Sequence, residues 1–130
     1  MEGDRSGMDT RTKIVTPEAA LDAPRPVLLV TGRFDILRAE MARDLAAARQ
    51  RTGARTLAVA IRPLADELLP TAARAEMAAA LRVVDYVFAV PDGDLTSLAA
   101  TLQPTEIIDL EEADAQRKRQ LIEHVHSRHS

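Results

Sequence analysis

The sequence contains no cysteine and no tryptophan, and its aromatic residues are Phe34, Tyr86 and Phe88 alone. Without cysteine the chain has no disulfide, no thiolate metal site and no cysteine nucleophile. Three aromatic side chains are too few for the stacking surface on which single-stranded nucleic acid is bound. A net charge of −3 and a pI of about 5.6 also lack the basic field that phosphate-backbone binding needs. These absences predict that nucleic acid is not a partner.

Long apolar runs are missing as well, since no stretch of about 18 apolar residues occurs that would span a bilayer. The opening "MEGDRSGMDTRTK" is charged and polar where a signal peptide would be apolar. We therefore expect a cytoplasmic protein with no membrane partner. The polar composition of residues 1–12, which has no periodicity, predicts a disordered leader. Residues 13–130 are predicted to form a single domain that ends in a charged helix.

Apolar patterning predicts strands and helices in alternation along the rest of the chain. Short apolar runs typical of strands buried in a parallel sheet lie at residues 25–30, 56–61, 85–90 and 105–110. The predicted helices lie at residues 36–51, 71–81, 95–102 and 113–129. The connections are too long for hairpins. The pattern predicts a small doubly wound, Rossmann-like α/β fold, with a parallel sheet of about four to five strands and helices on both faces.

Local signals mark the ends and the buried faces of these helices. Thr16 is expected to cap a short helix that has Pro17 at its first position. Gly53 is expected to end the helix at residues 36–51. In the helix at residues 71–81, Met77 and Leu81 are expected to face inward. The apolar stripe of the helix at residues 36–51 is predicted to be Leu37, Met41, Leu45 and Ala48.

Several segments carry a family resemblance. "GRFDIL" at residues 32–37 follows the first predicted strand, "KIVTPEAAL" precedes that strand, and "RAEMAAALRVVDYVF" covers residues 74–88. "LQPTEIIDL" at residues 102–110 matches more loosely. In order and spacing these segments resemble the cytidylyltransferase-like nucleotidylyltransferase superfamily, and most closely the adenylyltransferase domain of the ADP-heptose synthases. The resemblance extends over residues 13–110.

The resemblance implies a His-x-Gly-His motif at the start of the helix after the first strand, where two imidazoles and the helix N-terminus face the triphosphate. The four positions of that motif in this sequence are Arg38, Ala39, Glu40 and Met41. Both histidines are replaced, and a carboxylate stands where the family has glycine. Because each lost transition-state donor costs about 10²–10³ in rate, the substitutions predict that catalysis has been lost.

Two other segments also lack residues that the family uses to contact a nucleotide. An Asn-Ser-Asp run is expected after the second strand, where this sequence has Ile61, Arg62 and Pro63. A Lys-Gly pair is expected after the fourth strand, where this sequence has Asp109 and Leu110. These differences remove further groups that would contact a nucleotide.

A retained ligand site is expected at the carboxyl end of the first strand, because open α/β sheets bind ligands where the strand order reverses. If a nucleotide or a sugar phosphate is bound, the resemblance implies contacts from Thr31, Gly32, Arg33, Phe34, Asp35, Arg38 and Arg74. If catalysis persists, Arg38 replaces the histidines and Mg²⁺ accompanies ATP or CTP. We expect no other catalytic residue and no metal site within the protein itself.

Each of these residues also has a structural interpretation. Gly32 suits a strand-to-helix turn that needs positive φ, and Phe34 suits the core. Asp35 suits a helix N-cap, and Arg38 suits a solvated helix surface. Arg74 is able to form an ion pair with Asp85. His124, His126 and His129 fall near the end of the last predicted helix, where cations are favoured by the helix dipole.

The sequence thus predicts a nucleotidylyltransferase-like domain without catalysis that serves as a ligand-binding, regulatory or assembly module, and that forms a homodimer. Two alternatives remain. One is an active nucleotidylyltransferase that moves AMP or CMP from a nucleoside triphosphate to a small sugar phosphate. The other is a domain that binds no nucleotide and mediates protein contacts only.

Overall fold

The computed structural model of the chain describes residues 10–34, 39–63 and 69–110. In this part of the chain four strands form one sheet: β1 (Val27–Thr31), β2 (Thr56–Ile61), β3 (Tyr86–Ala89) and β4 (Glu106–Asp109). All neighbouring strands are parallel and the spatial order is β3-β2-β1-β4. The chain moves outward from β1 to β3 and then returns to the other side of β1. This confirms the doubly wound, Rossmann-like α/β fold.

Helices cover both faces of the sheet. The described helices are α1 (Ala39–Thr52), α2 (Thr71–Ala79), α3 (Thr96–Leu102) and two 3-10 helices, Thr10–Lys13 and Pro17–Ala20. Helices α1 and α2 pack on one face, while α3 and the second 3-10 helix pack on the other. Among the described residues, no helix is long and apolar enough to cross a membrane.

The two central strands are buried along their whole length because both of their faces are covered. Leu28 and Val30 of β1 point to the face that carries α1 and α2, whereas Val27 and Leu29 point to the face that carries α3. Every residue of β2 is buried as well. This explains why both strands consist of continuous apolar residues instead of alternating with polar ones.

Of the predicted helix ends, the one at Gly53 is confirmed, whereas α2 ends at Ala79, two residues before its predicted end. Helix α1 ends before Gly53, which has a φ of +68°. Met41 and Leu45 of the predicted stripe are buried, and Ala48 is partly buried. Thr16 precedes the helix at Pro17, but that helix is of the 3-10 type and the Thr16 side chain makes no capping hydrogen bond.

The predicted buried face of α2 is confirmed in part, since Leu81 packs against the core, but Met77 is not among the buried residues of the helix. The buried residues of this helix are Arg74, Ala75, Ala78 and Ala79, while Met77 is only half-buried. Leu81 lies beyond the end of the helix and packs at the margin of the core. The reason is steric, since alanines allow the helix backbone to lie closer to the sheet than longer side chains would.

Some predictions fall outside the described residues. They concern most of the leader (residues 1–9), Asp35 to Arg38 at the start of the first long helix, and the closing helix with His124, His126 and His129.

Candidate functional site

The strand order reverses between β1 and β4, and we call the edge of the sheet at their carboxyl ends the crevice, because doubly wound sheets have a binding crevice there. Thr31 is the last residue of β1, and Asp109 is the last residue of β4 and its partner in the sheet register. The Thr31 hydroxyl Oγ1 donates a hydrogen bond to the Asp109 carboxylate Oδ1 at 3.2 Å. A hydroxyl and a carboxylate therefore lie where doubly wound sheets bind their ligands.

The segment that follows β1 is buried. Thr31, Gly32, Arg33 and Phe34 are all buried, and the Phe34 ring is 0% exposed and packs in the core with Met41. This confirms the core interpretation of Phe34. The residue with positive φ at this corner is Phe34, at +52°, and not Gly32, so the prediction of a positive-φ glycine here is wrong. A left-handed conformation costs about 1–2 kcal/mol for a residue with a side chain, and burial of the ring offsets that cost.

Arg74 connects two loops at the same edge of the sheet. Its guanidinium is 0% exposed. Its Nη1 donates to the Arg33 carbonyl at 3.2 Å, and its Nη2 donates to the Arg62 carbonyl at 2.6 Å. The same Nη2 lies 3.4 Å from the Thr71 hydroxyl oxygen. The side chain thus binds the backbone that follows β1 and the backbone that follows β2.

The predicted ion pair between Arg74 and Asp85 is wrong. Asp85 precedes β3 and lies at the amino edge of the sheet, whereas the carbonyl groups bound by Arg74 lie at the carboxyl edge. The Asp85 carboxylate accepts a hydrogen bond from the Leu57 N–H at 2.9 Å and pairs with Arg49 at 3.0 Å. The same Arg49 donates to the Val83 carbonyl at 3.1 Å. This amino-edge cluster is structural.

The motif positions that the structure describes carry no imidazole. Met41 is 4% exposed and packs in the core with Phe34 and Leu45. Glu40 is exposed on the first described turn of α1. Asp35 and Arg38 lie outside the described residues. In the part of the chain that the structure describes, this edge of the sheet therefore carries the buried Thr31 hydroxyl and the exposed Asp109 carboxylate, and no imidazole.

Two cavities lie away from this crevice. One, of about 240 Å³, lies at the amino edge and is lined by Pro24, Arg55, Thr56, Asp85 and Tyr86. The other, of about 140 Å³, lies at the end of β3, and its lining includes Phe88, Asp92, Asp94 and Leu98. Within the described ranges, no three His, Asp or Glu side chains come together as a metal site.

The carboxylates of the smaller cavity serve the local backbone. Asp92 Oδ1 accepts a hydrogen bond from the Asp94 N–H at 3.0 Å, and Asp94 Oδ1 accepts one from the Thr96 N–H at 2.9 Å. The hydrogen bond from the Thr96 backbone, followed by one from its hydroxyl, lowers the pKa of Asp94 below its ordinary value. These contacts shape the turn that leads into α3.

Sequence patterns indicated Thr31 and Arg74 as site residues but did not predict their contacts with other parts of the protein. The buried role of Arg74 was missed because an arginine on an amphipathic helix normally points to solvent. The contact between Thr31 and Asp109 depends on which strands are neighbours. The sequence places Asp109 near the end of a predicted strand. It does not show that this strand pairs with β1, and this pairing is what brings Asp109 to Thr31.

The strand order and the crevice place this protein in the class of doubly wound α/β domains. Its fold is similar to that in the crystal structure of the lipopolysaccharide core biosynthesis protein from Thermoplasma volcanium GSS1, with a TM-score of 0.55 and 20% sequence identity. The similarity covers 74% of this chain and 87% of that chain. At this identity the similarity concerns the fold. No protein-family model matches the sequence, and no curated protein matches it.

Proposed function

We propose that this protein is a nucleotidylyltransferase-like domain that has lost catalysis and binds an anionic small molecule, such as a nucleotide or a sugar phosphate, at the crevice between β1 and β4. The strand order supports the location, since ligands of doubly wound sheets bind where the order reverses. The sequence of the corner after β1 and the similar fold of the lipopolysaccharide core biosynthesis protein support the family.

The burial of Met41 is the observation that carries the loss of catalysis. Its side chain occupies the position of the second motif histidine and is packed in the core, where it has no polar group to offer a phosphate. Restoring an imidazole at this position would bury a polar ring among apolar neighbours. At this position α1 therefore carries a side chain that packs in the core, whereas the related enzymes need a hydrogen-bond donor to the phosphates.

Two carboxylates add to this argument. Glu40 replaces the small glycine of the motif at the start of α1, and Asp109 replaces the lysine that follows the fourth strand. Asp109 lies at the crevice itself, where it accepts the hydrogen bond from Thr31. Negative charge near a departing diphosphate raises the energy of the transition state that related sites stabilise. Binding of a less highly charged phosphate ester remains compatible with this arrangement.

The alternative function is an active nucleotidylyltransferase in which Arg38 stabilises the phosphates and Mg²⁺ accompanies ATP or CTP. A guanidinium is well suited to phosphate, which favours this alternative. Because Mg²⁺ usually takes one or two carboxylates together with substrate phosphates, Asp109 is the described residue that would hold it.

A pyrophosphate-release assay separates the two functions. The purified chain is incubated with Mg²⁺, each of the four common nucleoside triphosphates and a panel of sugar phosphates. We expect no turnover above the protein-free control. Turnover that is abolished in Arg38→Ala would overturn the loss of catalysis and support the active alternative.

Thermal unfolding tests whether a ligand is bound at all. We expect ATP, CTP or a sugar phosphate at millimolar concentration to raise the melting temperature of the wild-type protein, because a ligand that binds only the folded state stabilises it. If none of these compounds raises it, the binding proposal fails and a domain that mediates protein contacts only becomes the better interpretation.

A further inference from the structure

Arg74 is the largest fully buried side chain among the described residues, and its environment is unusual for a cation. It lies on the inner face of α2 among Ala75, Ala78 and Ala79. Arginine is rarely buried completely unless its donors are satisfied. Its two terminal nitrogens, Nη1 and Nη2, donate to the carbonyl groups of Arg33 and Arg62, which belong to the loops after β1 and β2.

The guanidinium sets the relative position of these two loops. Its N–H groups form a rigid planar fork, so two carbonyl groups bound to its two ends have a fixed spacing. Hydrogen bonds from a charged donor are also stronger than those between neutral groups. The loops after β1 and β2 are therefore held through one side chain of α2.

The same contact orients an amide of the corner. In a planar trans peptide the C=O and the following N–H point in opposite directions. Because the Arg33 carbonyl is directed at the guanidinium, the Phe34 N–H is directed away from it. Phe34 itself has a left-handed φ of +52°. Backbone N–H groups at such a corner are the usual donors to a bound phosphate.

We propose that Arg74 is a positioning residue: it shapes the corner after β1 for an anionic ligand by holding the Arg33 and Arg62 carbonyl groups, and it does not touch the ligand. This inference rests on the proposed function for the identity of the ligand. An indirect role follows from the geometry, since the guanidinium is fully buried and its fork is already engaged by backbone acceptors. Because Arg74 is 0% exposed, direct contact with a ligand would require the groups that bury its guanidinium to move.

Arg49 provides a matched control. It is also an arginine that binds backbone carbonyl groups, those of Ala54 and Val83, but it lies at the amino edge of the sheet. Arg74→Met and Arg49→Met each remove such a guanidinium while retaining an unbranched apolar side chain. A general loss of stability would therefore affect both variants, whereas a change at the corner would be specific to Arg74→Met.

The first measurement is amide hydrogen exchange in the protein without ligand. We expect exchange at residues 31–34 and at Arg62 to be faster by about tenfold or more in Arg74→Met, and unchanged in Arg49→Met. Equal acceleration in the two variants would overturn the proposal. If Arg74→Met does not fold, Arg74→Lys is used, since one ammonium group lacks the fork that spans both carbonyl groups. Wild-type exchange at both loops in Arg74→Lys would also overturn it.

The second measurement is the affinity for CTP and for inorganic pyrophosphate, by titration calorimetry at a temperature where both variants are folded. We expect binding to be weaker by about tenfold in Arg74→Met and to change by less than about twofold in Arg49→Met. Unchanged affinity in Arg74→Met would refute the positioning role. Absence of binding in the wild-type protein would instead refute the proposed ligand, while the exchange measurement still decides whether Arg74 holds the corner.

Discussion

Asp109 shows how one side chain limits the chemistry of the crevice. The nucleotidylyltransferases that the sequence resembles are expected to carry a lysine at this position, whereas this chain has a carboxylate there, which accepts a hydrogen bond from the Thr31 hydroxyl at 3.2 Å. The hydrogen bond holds the negative charge at the end of β1, close to the corner where phosphate would be bound. A phosphate that enters the crevice therefore meets like charge, and each added phosphate charge increases the repulsion.

Removing this charge is expected to strengthen anion binding. Asp109→Asn retains a side-chain oxygen for the Thr31 hydroxyl but loses the negative charge, so the affinity for CTP should rise by about three- to tenfold at low ionic strength. Titration calorimetry measures the change. Glu106→Gln is the control, because Glu106 lies at the opposite end of β4 and pairs with Arg51 at 3.0 Å. An equal gain in both variants would mean that only the net charge matters.

Asp94 gives a prediction on pH. Its pKa is lowered mainly by the hydrogen bond from the Thr96 N–H, so the folded protein binds this proton less tightly than the unfolded chain does. The resulting stabilisation is complete above the ordinary value of 3.8 and is lost as the pH falls through the lower value of the folded state. Wild-type protein should thus unfold at a higher temperature than Asp94→Asn at about pH 6, and the difference should shrink toward about pH 3. A difference that does not change with pH would contradict this.

At the level of the elements, α1 connects the corner to the core. It begins beside the crevice, buries Met41 and Leu45 against the sheet, and ends at Gly53 just before the chain enters β2. The left-handed conformation of Gly53 reverses the chain within a few residues, which keeps the connection to the second strand short. The end of this helix therefore determines how β1 and β2 come to lie side by side.

Gly53→Ala is expected to destabilise the protein by about 1 kcal/mol, because alanine is disfavoured at positive φ. The cost is conformational and not steric, since an added Cβ would meet no atom within 4 Å. Gly53→Asn should cost less, because asparagine tolerates the left-handed region better. Urea unfolding of the three proteins measures the difference. If Gly53→Asn lowers the free energy of unfolding as much as Gly53→Ala does, the cost arises from a steric contact and not from the backbone conformation.

Much of the element order was predictable because buried parallel strands are continuous apolar runs. The bounds of β2, Thr56–Ile61, agree with the prediction, and β1 starts two residues late because Pro26 has no N–H to join the sheet. The inner face of α2 was not predictable by hydrophobicity, which favoured Met77 over Arg74. That choice depends on carbonyl groups supplied by distant loops. Sequence patterns contain no information on such acceptors until the strand order is known.

For the whole molecule, the sheet and its helices form a scaffold in which the strand order determines where the proposed binding site lies. The fold is similar to that of the Thermoplasma volcanium lipopolysaccharide core biosynthesis protein over 74% of this chain. At 20% identity this similarity concerns the fold and not the activity. The predicted homodimer concerns the outer surface of this scaffold.

We predict that the protein forms a homodimer. The alanine-rich inner face of α2 is covered by the sheet, so a dimer must use other surfaces. Light scattering coupled to size-exclusion chromatography should give twice the chain mass of 14.2 kDa, with dissociation on dilution if the interface is small. A mass equal to that of one chain at all concentrations would refute this prediction.

The strand β4 has two roles in the described part of the molecule. It forms one wall of the crevice through Asp109, and it is also the outermost strand on its side of the sheet. The edge strand on this side of the sheet is therefore also the strand beside which the strand order reverses. A partner that pairs with β4 as an added strand would contact the strand that carries Asp109. If a partner adds to β4, we therefore expect its association and the occupancy of the crevice to affect each other.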